Sequence, residues 1–299
     1  MDQKPSYSYP VQFFMLIGLF GGFLIISSIV IALLGSLIMH IPLANVLGSL
    51  ESPQNTGATR LLNTVATCIC FLLPALIFAK IVHRTPFSYL GFSKKISIKQ
   101  VLIIFVITIG AMILSGALGE LNEKIPISKS FYEQARKLED LYRQQMLNMA
   151  AMRSFGEYLV VLLVIAAAPA MFEEILFRGA LQQIMVGWTR SKWAGIIIAS
   201  ILFSAFHFSY FGFLPRLALG IILGLIFYNS RNIWLNILLH FLNNAIVVTQ
   251  LYIVSLQGKS IEKTLDENMP SWWGLAAVVL LAVAFRAFNK EARRVWGER

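Results

Sequence analysis

Long apolar runs dominate the sequence, and each approaches the length that an α-helix needs to cross a lipid bilayer. Such a helix takes about 20 mostly apolar residues, because each residue advances the helix by about 1.5 Å. Eight segments of the 299-residue chain approach this criterion, and they are residues 11–39, 61–81, 101–118, 158–185, 193–208, 213–228, 233–254 and 272–288. We therefore predict one integral membrane domain over residues 1–299, folded as an all-α polytopic bundle of about eight transmembrane helices.

The composition agrees with a chain that is surrounded by lipid. Hydrophobic residues make up 57% of the sequence and charged residues 13%, whereas a soluble domain carries charge on about a quarter of its residues. The net charge of +10 does not indicate a nucleic-acid partner, because surplus Lys and Arg in a membrane protein mark the loops that stay in the cytoplasm.

The distribution of Lys and Arg predicts the orientation of the chain. If both termini are cytoplasmic, the inside segments hold 13 of these residues and the short outside loops hold 4, with the long loop after the third span left out. The outside residues in this count are Arg60, Arg216, Lys259 and Lys263. This excess predicts cytoplasmic N and C termini, and we expect the protein in the plasma (inner) membrane.

The loop over residues 119–156 is the one sizeable segment predicted outside the membrane. Apolar residues recur in it at three- and four-residue spacing, with charged residues and Gln between them, which is typical of an amphipathic helix on a membrane or on the bundle. A packed surface helix and a substrate-binding lid both fit this pattern, and the packed helix is favoured. The apolar residues are Phe131, Ala135, Leu138, Leu141, Tyr142, Met146 and Met149.

Two adjacent carboxylates and an arginine lie within the fourth predicted span, in the stretch "MFEEILFRG". On a helix, Glu174 and Arg178 are four residues apart with the acid first, which favours an ion pair between them. Glu173 is rotated from Glu174 by about 100° and cannot share that arginine comfortably. A buried carboxylate without a partner has the properties of a general base near neutral pH. Pro169, one turn earlier, is expected to loosen the helix.

Two of the four histidines also lie within predicted spans. In "FSAFH", Phe203 and His207 lie one turn apart on one helix face, and in "HFLNN" His240 shares a face with Asn244 and with Asn236 one turn earlier. Polar side chains at this depth must face protein or water. We therefore expect the three spans to converge so that these groups can satisfy one another.

Other interpretations of the buried polar groups stay open. Any one of them could only fix the packing of neighbouring helices through a hydrogen bond. As a set, Glu and His side chains within a bundle also suit a proton-coupled transporter. Gly220 and Gly224, four residues apart in the sixth span, predict close helix packing within the bundle.

The motifs resemble those of one family of membrane enzymes. "EEILFR", "FSAFH" and "HFLNN" fit EExxxR, FxxxH and HxxxN, in the same order and on three spans. The chain thus resembles the CPBP family of intramembrane proteases (CAAX proteases and bacteriocin-processing enzymes, also called Abi), which includes the type II CAAX prenyl endopeptidases. The resemblance covers residues 158–254, the predicted motif-bearing core, and implies hydrolysis of a peptide bond in a membrane-embedded or lipidated substrate.

The resemblance also implies a role for each motif residue. Glu173 and His207 would activate a water molecule, and His240 and Asn244 would stabilise the oxyanion. Supporting roles fall to three other residues, and they are Glu174, Arg178 and Phe203. A non-catalytic, protease-like protein with a role in immunity or regulation remains an alternative to an enzyme.

The resemblance allows both a metalloprotease and a glutamate-dependent enzyme without a metal. If zinc is bound, its ligands would be Glu173, His207 and His240, which leave an open fourth position. Asn244 is a poor zinc ligand, and the sequence lacks the paired histidines of an HExxH helix. We therefore expect no cofactor.

Overall fold

The computed structural model describes residues 7–257 and 270–297, and in these residues the chain is a bundle of long helices. Both termini beyond them, and Lys259 and Lys263 of the charge count, lie outside the described residues. In chain order the long helices are α1 (Tyr9–Met39), α2 (Pro53–Val82), α3 (Ile98–Glu123), α4 (Lys129–Met149), α5 (Phe155–Thr189), α6 (Lys192–Ala205), α7 (Phe213–Ser230), α8 (Ile233–Leu256) and α9 (Trp273–Trp296).

Seven of these helices are long and apolar enough to cross a membrane, namely α1, α2, α3, α5, α7, α8 and α9. The chain is an integral membrane protein of the all-α class, as predicted. The predicted span 193–208 does not reach this length, because α6 has only 14 residues and is therefore about 21 Å long. The number of candidate spans in the described residues is thus seven, not eight.

Polar residues at the helix starts explain several of the boundaries. Ser97 and Gln100 form a reciprocal capping pair at the start of α3. Ser154 accepts a hydrogen bond from the backbone at the start of α5, and Ser191 does so for α6. Each of these side chains satisfies an amide that the helix cannot pair itself. Short polar residues between apolar runs therefore locate these turns.

Buried apolar residues form two large clusters, and a third, smaller cluster joins α5 to α8. One buried cluster is centred on α1, α2, α5 and α6, and includes Phe78, Phe177 and Phe203. The other large cluster joins α3, α7, α8 and α9, and includes Leu223 and Phe288. Helices α7 and α8 contribute to both large clusters and α5 packs against them, so polar side chains on the facing sides of these three helices are removed from lipid.

The short α6 places the turn that follows it at the depth of the acidic pair. Glu173 lies 16 residues before the end of α5 at Thr189, and His207 lies 15 residues after the start of α6 at Lys192. At about 1.5 Å per residue, both lie about 23 Å from the turn between the two helices. The two residues therefore lie at a similar depth along the bundle, which the expected convergence of the three spans requires, and the shortness of α6 is the physical reason.

Helix α4 covers this turn, at the position predicted for the amphipathic helix. Ser209 donates a hydrogen bond of 2.6 Å to Glu139 of α4, and the rings of Phe131 and Tyr210 pack edge to face at 5.5 Å. At the other end of α4, the Arg60 guanidinium donates to the carbonyl oxygen of Met149. Part of the predicted apolar face of α4 is not packed against the bundle, since residues such as Phe131 are about half exposed, at 47%.

Candidate active site

Glu174 is the centre of a completely buried hydrogen-bond network. One of its carboxylate oxygens, Oε1, lies 2.9 Å from Arg178 Nη1 and 2.9 Å from His240 Nδ1. Its other oxygen accepts a hydrogen bond of 3.3 Å from the Asn236 amide, which also donates to the carbonyl oxygen of Leu223. The predicted ion pair with Arg178 is therefore present, and two further donors reach the same carboxylate from α8.

Helix α7 packs so close to α5 that its backbone carbonyl oxygens accept hydrogen bonds from the network, in the place of water. The second guanidinium nitrogen of Arg178 donates to the carbonyl oxygen of Gly220, and Gln182 one turn later donates to that of Gly224. A Cβ atom on Gly220 would lie 2.9 Å from Ser200 Cβ of α6. The two glycines therefore serve packing within the bundle, as their spacing predicts.

Glu173 has surroundings that differ from those of its neighbour. Its side chain is partly buried, and its Oε2 atom is buried without a hydrogen-bond partner among the described residues. The residue lies between two stretches of α5 in which the helix widens to π-type turns, Leu162–Ala167 and Phe177–Gln182. Such turns occur often at functional sites. A buried acceptor without a donor is unfavourable for folding, so Glu173 requires an explanation other than stability.

The Phe203 ring separates the two histidines. Its centroid lies 5.0 Å from that of His207 and 6.0 Å from that of His240, and the Arg178 guanidinium lies 4.5 Å from it. His207 Nδ1 lies 2.9 Å from the carbonyl oxygen of Phe203. Because a carbonyl can only accept, Nδ1 carries a proton, and Nε2 of the neutral ring is left as an acceptor. Phe208, directly after His207, has φ 50°, a conformation that bulky residues rarely adopt, and it fixes the turn there.

Asn244 contacts the widened part of α5. Its amide nitrogen lies 3.4 Å from the carbonyl oxygen of Ile165. In a regular helix this oxygen would accept a hydrogen bond from residue 169, but that residue is Pro169, which has no N–H to donate. The adjacent Asn243 donates to the side-chain oxygen of Asn244 at 3.3 Å. An amide nitrogen has two hydrogens, and the contact with Ile165 uses one of them.

Arg216 is a residue of this site that the sequence motifs miss. The charge count assigned it to an outside loop, but it lies in the first turn of α7, where its charge acts on both Glu173 and His207. Its Nη1 atom is buried without a hydrogen-bond partner among the described residues. A lone Arg near the end of a predicted span resembles a topology signal, so only the shortness of α6 and α7 could have indicated its depth.

The conditional zinc ligands do not form a metal-binding cluster. No three His, Cys, Asp or Glu side chains within residues 7–257 and 270–297 are grouped so that they could hold a metal ion. Nδ1 of His240 contacts Glu174, and Nδ1 of His207 contacts a carbonyl oxygen. No reaction step is therefore assigned to a metal ion.

The fold and this site define a class of protein, a polytopic helical membrane protein in which acidic, histidine and amide side chains converge from α5, α6 and α8. The model of the family described as type II CAAX prenyl endopeptidase Rce1-like matches residues 155–246, which contain all three motifs. The match covers less than a third of the chain, so it shows a similarity of the motif-bearing part to CAAX proteases, and it supports an intramembrane protease of the CAAX type in general. Comparison with curated proteins and with solved structures found no match.

Proposed function

We infer that the protein is an intramembrane endopeptidase that hydrolyses a peptide bond of a membrane-embedded or lipidated protein substrate. The observation that carries this proposal is the unpartnered Oε2 atom of Glu173 next to a network in which Glu174 is fully paired. A carboxylate oxygen that the fold does not use can accept a proton from water. The family match favours a protease over a transporter.

In the proposed reaction Glu173, helped by the free Nε2 of His207, takes a proton from a water molecule. The water oxygen then bonds to the carbonyl carbon of the substrate, and the carbonyl π-electrons move onto its oxygen. When this intermediate collapses, the C–N bond breaks and the proton held by Glu173 passes to the leaving amine. The products are a carboxylic acid, which ionises, and an amine, so atoms and charge balance.

His240 and Asn244 are proposed to donate hydrogen bonds to the oxyanion, each worth ~3 kcal/mol in the transition state. For Nε2 of His240 to donate while Nδ1 contacts Glu174, the ring must carry both protons. The carboxylate of Glu174 accepts the hydrogen bond from Nδ1 and fixes the orientation of the ring, as the aspartate of a Ser-His-Asp triad does for its histidine. In this scheme, Glu174 and Arg178 orient His240 without touching the substrate.

The proposal is tested by mass spectrometry of membrane proteins from cells with the wild type or the Glu173→Gln variant. Peptides with new termini are expected only with the wild type, and the exposed Glu133→Gln variant is the matched control that keeps them. Equal cleavage with Glu173→Gln would contradict the proposal. Substrate flux that depends on Glu173 without cleavage would favour a transporter, and a phenotype that survives Glu173→Gln would favour a non-catalytic role.

We further propose that the site works without a metal ion and that both termini are cytoplasmic, which places α4 on the outer side. This orientation requires that α6 and α7 together enter and leave on the inner side, since seven complete crossings would put the termini on opposite sides of the membrane. Metal analysis of the purified protein tests the first point. Stoichiometric zinc, with activity lost to a chelator and restored by zinc, would contradict it. Labelling of a cysteine introduced at Lys137 of α4 with a membrane-impermeant reagent on intact cells tests the second point, and protection from the reagent would contradict it.

A further inference from the structure

Several buried polar atoms around the site have no partner among the described residues. Besides Glu173 Oε2 and Oδ1 of Asn236, they are the hydroxyl oxygen of Tyr210 in the turn after α6 and Nη1 of Arg216 at the start of α7. Arg216 and Glu173 carry opposite charges that act on each other, yet no hydrogen bond joins them. A buried guanidinium hydrogen without an acceptor is costly, so an acceptor from outside the fold would stabilise it.

The position of Arg216 is built by its neighbours. Its guanidinium lies 5.3 Å from the centroid of the Tyr142 ring of α4. On its other side it packs against Gly212, where an added Cβ atom would lie 2.6 Å from Arg216 Cζ. Gly212 has φ −91°, which any residue can adopt, so the glycine is required here for space and not for backbone conformation.

Tyr142 connects Arg216 to a cavity of about 320 Å³ beneath α4. Phe211 from the turn after α6 lines this cavity, and so do Val247 and Leu251 of α8. Val247 lies three residues after Asn244, so the cavity begins about one helical turn beyond the proposed oxyanion donors. A peptide in this cavity would therefore pass Arg216 before it reached Glu173.

We propose that Arg216 is a substrate-positioning residue whose guanidinium donates a hydrogen bond to a main-chain carbonyl oxygen of a peptide that enters through the cavity beneath α4. This inference rests on the proposed endopeptidase function and specifies how that site holds its substrate. A carbonyl group fits better than a carboxylate, because a carboxylate at this place would face the like charge of Glu173. The residues whose charges act on Glu173 are Glu174, Arg178, Arg216 and His240.

The test uses a fluorogenic peptide spanning a bond that is cut in wild-type membranes and uncut in Glu173→Gln membranes. Replacement of a charged hydrogen-bond donor predicts a fall of about 10- to 100-fold in kcat/KM for Arg216→Met, mostly as a higher KM, because the contact forms before the transition state. Arg216→Lys, which keeps the charge, is expected to restore part of the loss. The exposed Arg153→Met variant is the matched control and is expected to change kcat/KM less than about twofold.

A second variant moves the guanidinium without removing it. Gly212→Ala places a methyl group where Arg216 Cζ packs, and the flexible arginine side chain can move away at little cost to folding. We expect a higher KM at an unchanged melting temperature in detergent. This variant decides the question if Arg216→Met does not fold. Wild-type KM in both variants, or in Gly212→Ala alone in that case, would overturn the proposal.

Two further outcomes separate this proposal from the function on which it rests. Equal effects of Arg216→Met on a peptide with a free C-terminal carboxylate and on its amidated form are expected, and an effect confined to the free acid would overturn the carbonyl assignment. If the wild type cleaves no bond, the endopeptidase function is contradicted, and so is the role of Arg216 that depends on it. If the wild type cleaves and the Arg216 and Gly212 variants match it, only the role of Arg216 falls.

Discussion

Glu173 and Glu174 are adjacent in the sequence and have opposite relations to the fold. Glu174 is fully buried and accepts hydrogen bonds from Arg178, His240 and Asn236. Glu173 is partly buried and has one buried oxygen without a partner. One carboxylate therefore contributes to the stability of the bundle, whereas the other lowers it and is suited to bind something that the fold does not supply.

The same contrast extends to the elements around the two residues. The Glu174 side lies where α5, α7 and α8 pack closely, with Gly220 and Gly224 allowing the contact. On the Glu173 side, Tyr210 in the turn after α6 and Arg216 at the start of α7 also have buried atoms without partners, whereas on the Glu174 side such an atom is Oδ1 of Asn236. Rigid support and unsatisfied groups thus lie one residue apart, an arrangement that can hold reactive groups in place.

The largest expected effect comes from Glu173→Gln. This variant should lower kcat/KM by about 1,000-fold, because a general base contributes between about 100- and 10,000-fold. The free energy of unfolding should stay within about 1 kcal/mol of the wild type, because Oε2 has no partner to lose. The measurements are cleavage of the fluorogenic peptide and unfolding in detergent micelles. A variant that unfolds readily and retains its rate would reverse the assignment of the two carboxylates.

The next effect, Glu174→Gln, should appear first as a loss of stability. It leaves Arg178 as a buried charge without a counter-ion, which costs about 3–5 kcal/mol. The double variant Glu174→Gln with Arg178→Met should lose less than the sum of the two single losses, because both charges are then removed. Unfolding in detergent measures all three variants. Additive losses would show that the 2.9 Å contact between the two side chains contributes little.

Local spacing was enough to predict the contacts within one helix. The pairing of Glu174 with Arg178 follows from their separation of four residues, and the separation of Glu173 from that pair follows from the rotation of about 100° per residue. The membrane class followed from apolar length in the same way. Convergence of His207 and His240 with the acids was expected only because polar groups at that depth need partners.

Contacts between helices could not be predicted residue by residue. Nothing in the spacing indicates that His240 bonds to Glu174 and not to Glu173, because that choice depends on how α8 is rotated and shifted against α5. The number of full-length spans is one fewer than the eight segments for a related reason. Residues 193–208 are apolar enough to continue a helix, but the chain turns at Phe208, and this early turn brings Arg216 from a predicted outside loop into the site.

The smallest expected effect concerns the contact between α4 and the turn after α6, near Glu173. Ser209→Ala removes the hydrogen bond to Glu139 that ties the turn after α6 to α4, and also the bond that the hydroxyl accepts from the Gly212 amide. Together these losses should cost about 1–2 kcal/mol. We expect faster amide hydrogen exchange in α4, with kcat/KM changed by less than about threefold.

Ser28→Ala is the matched control, since this exposed hydroxyl bonds only to the carbonyl oxygen of Leu24 in its own helix. If exchange in α4 is unchanged, the ring contacts, such as that between Phe131 and Tyr210, hold the helix without the hydroxyl. The difference between the two sides would then lie in the carboxylates themselves, paired at Glu174 and unpaired at Glu173, and not in how firmly each side is covered.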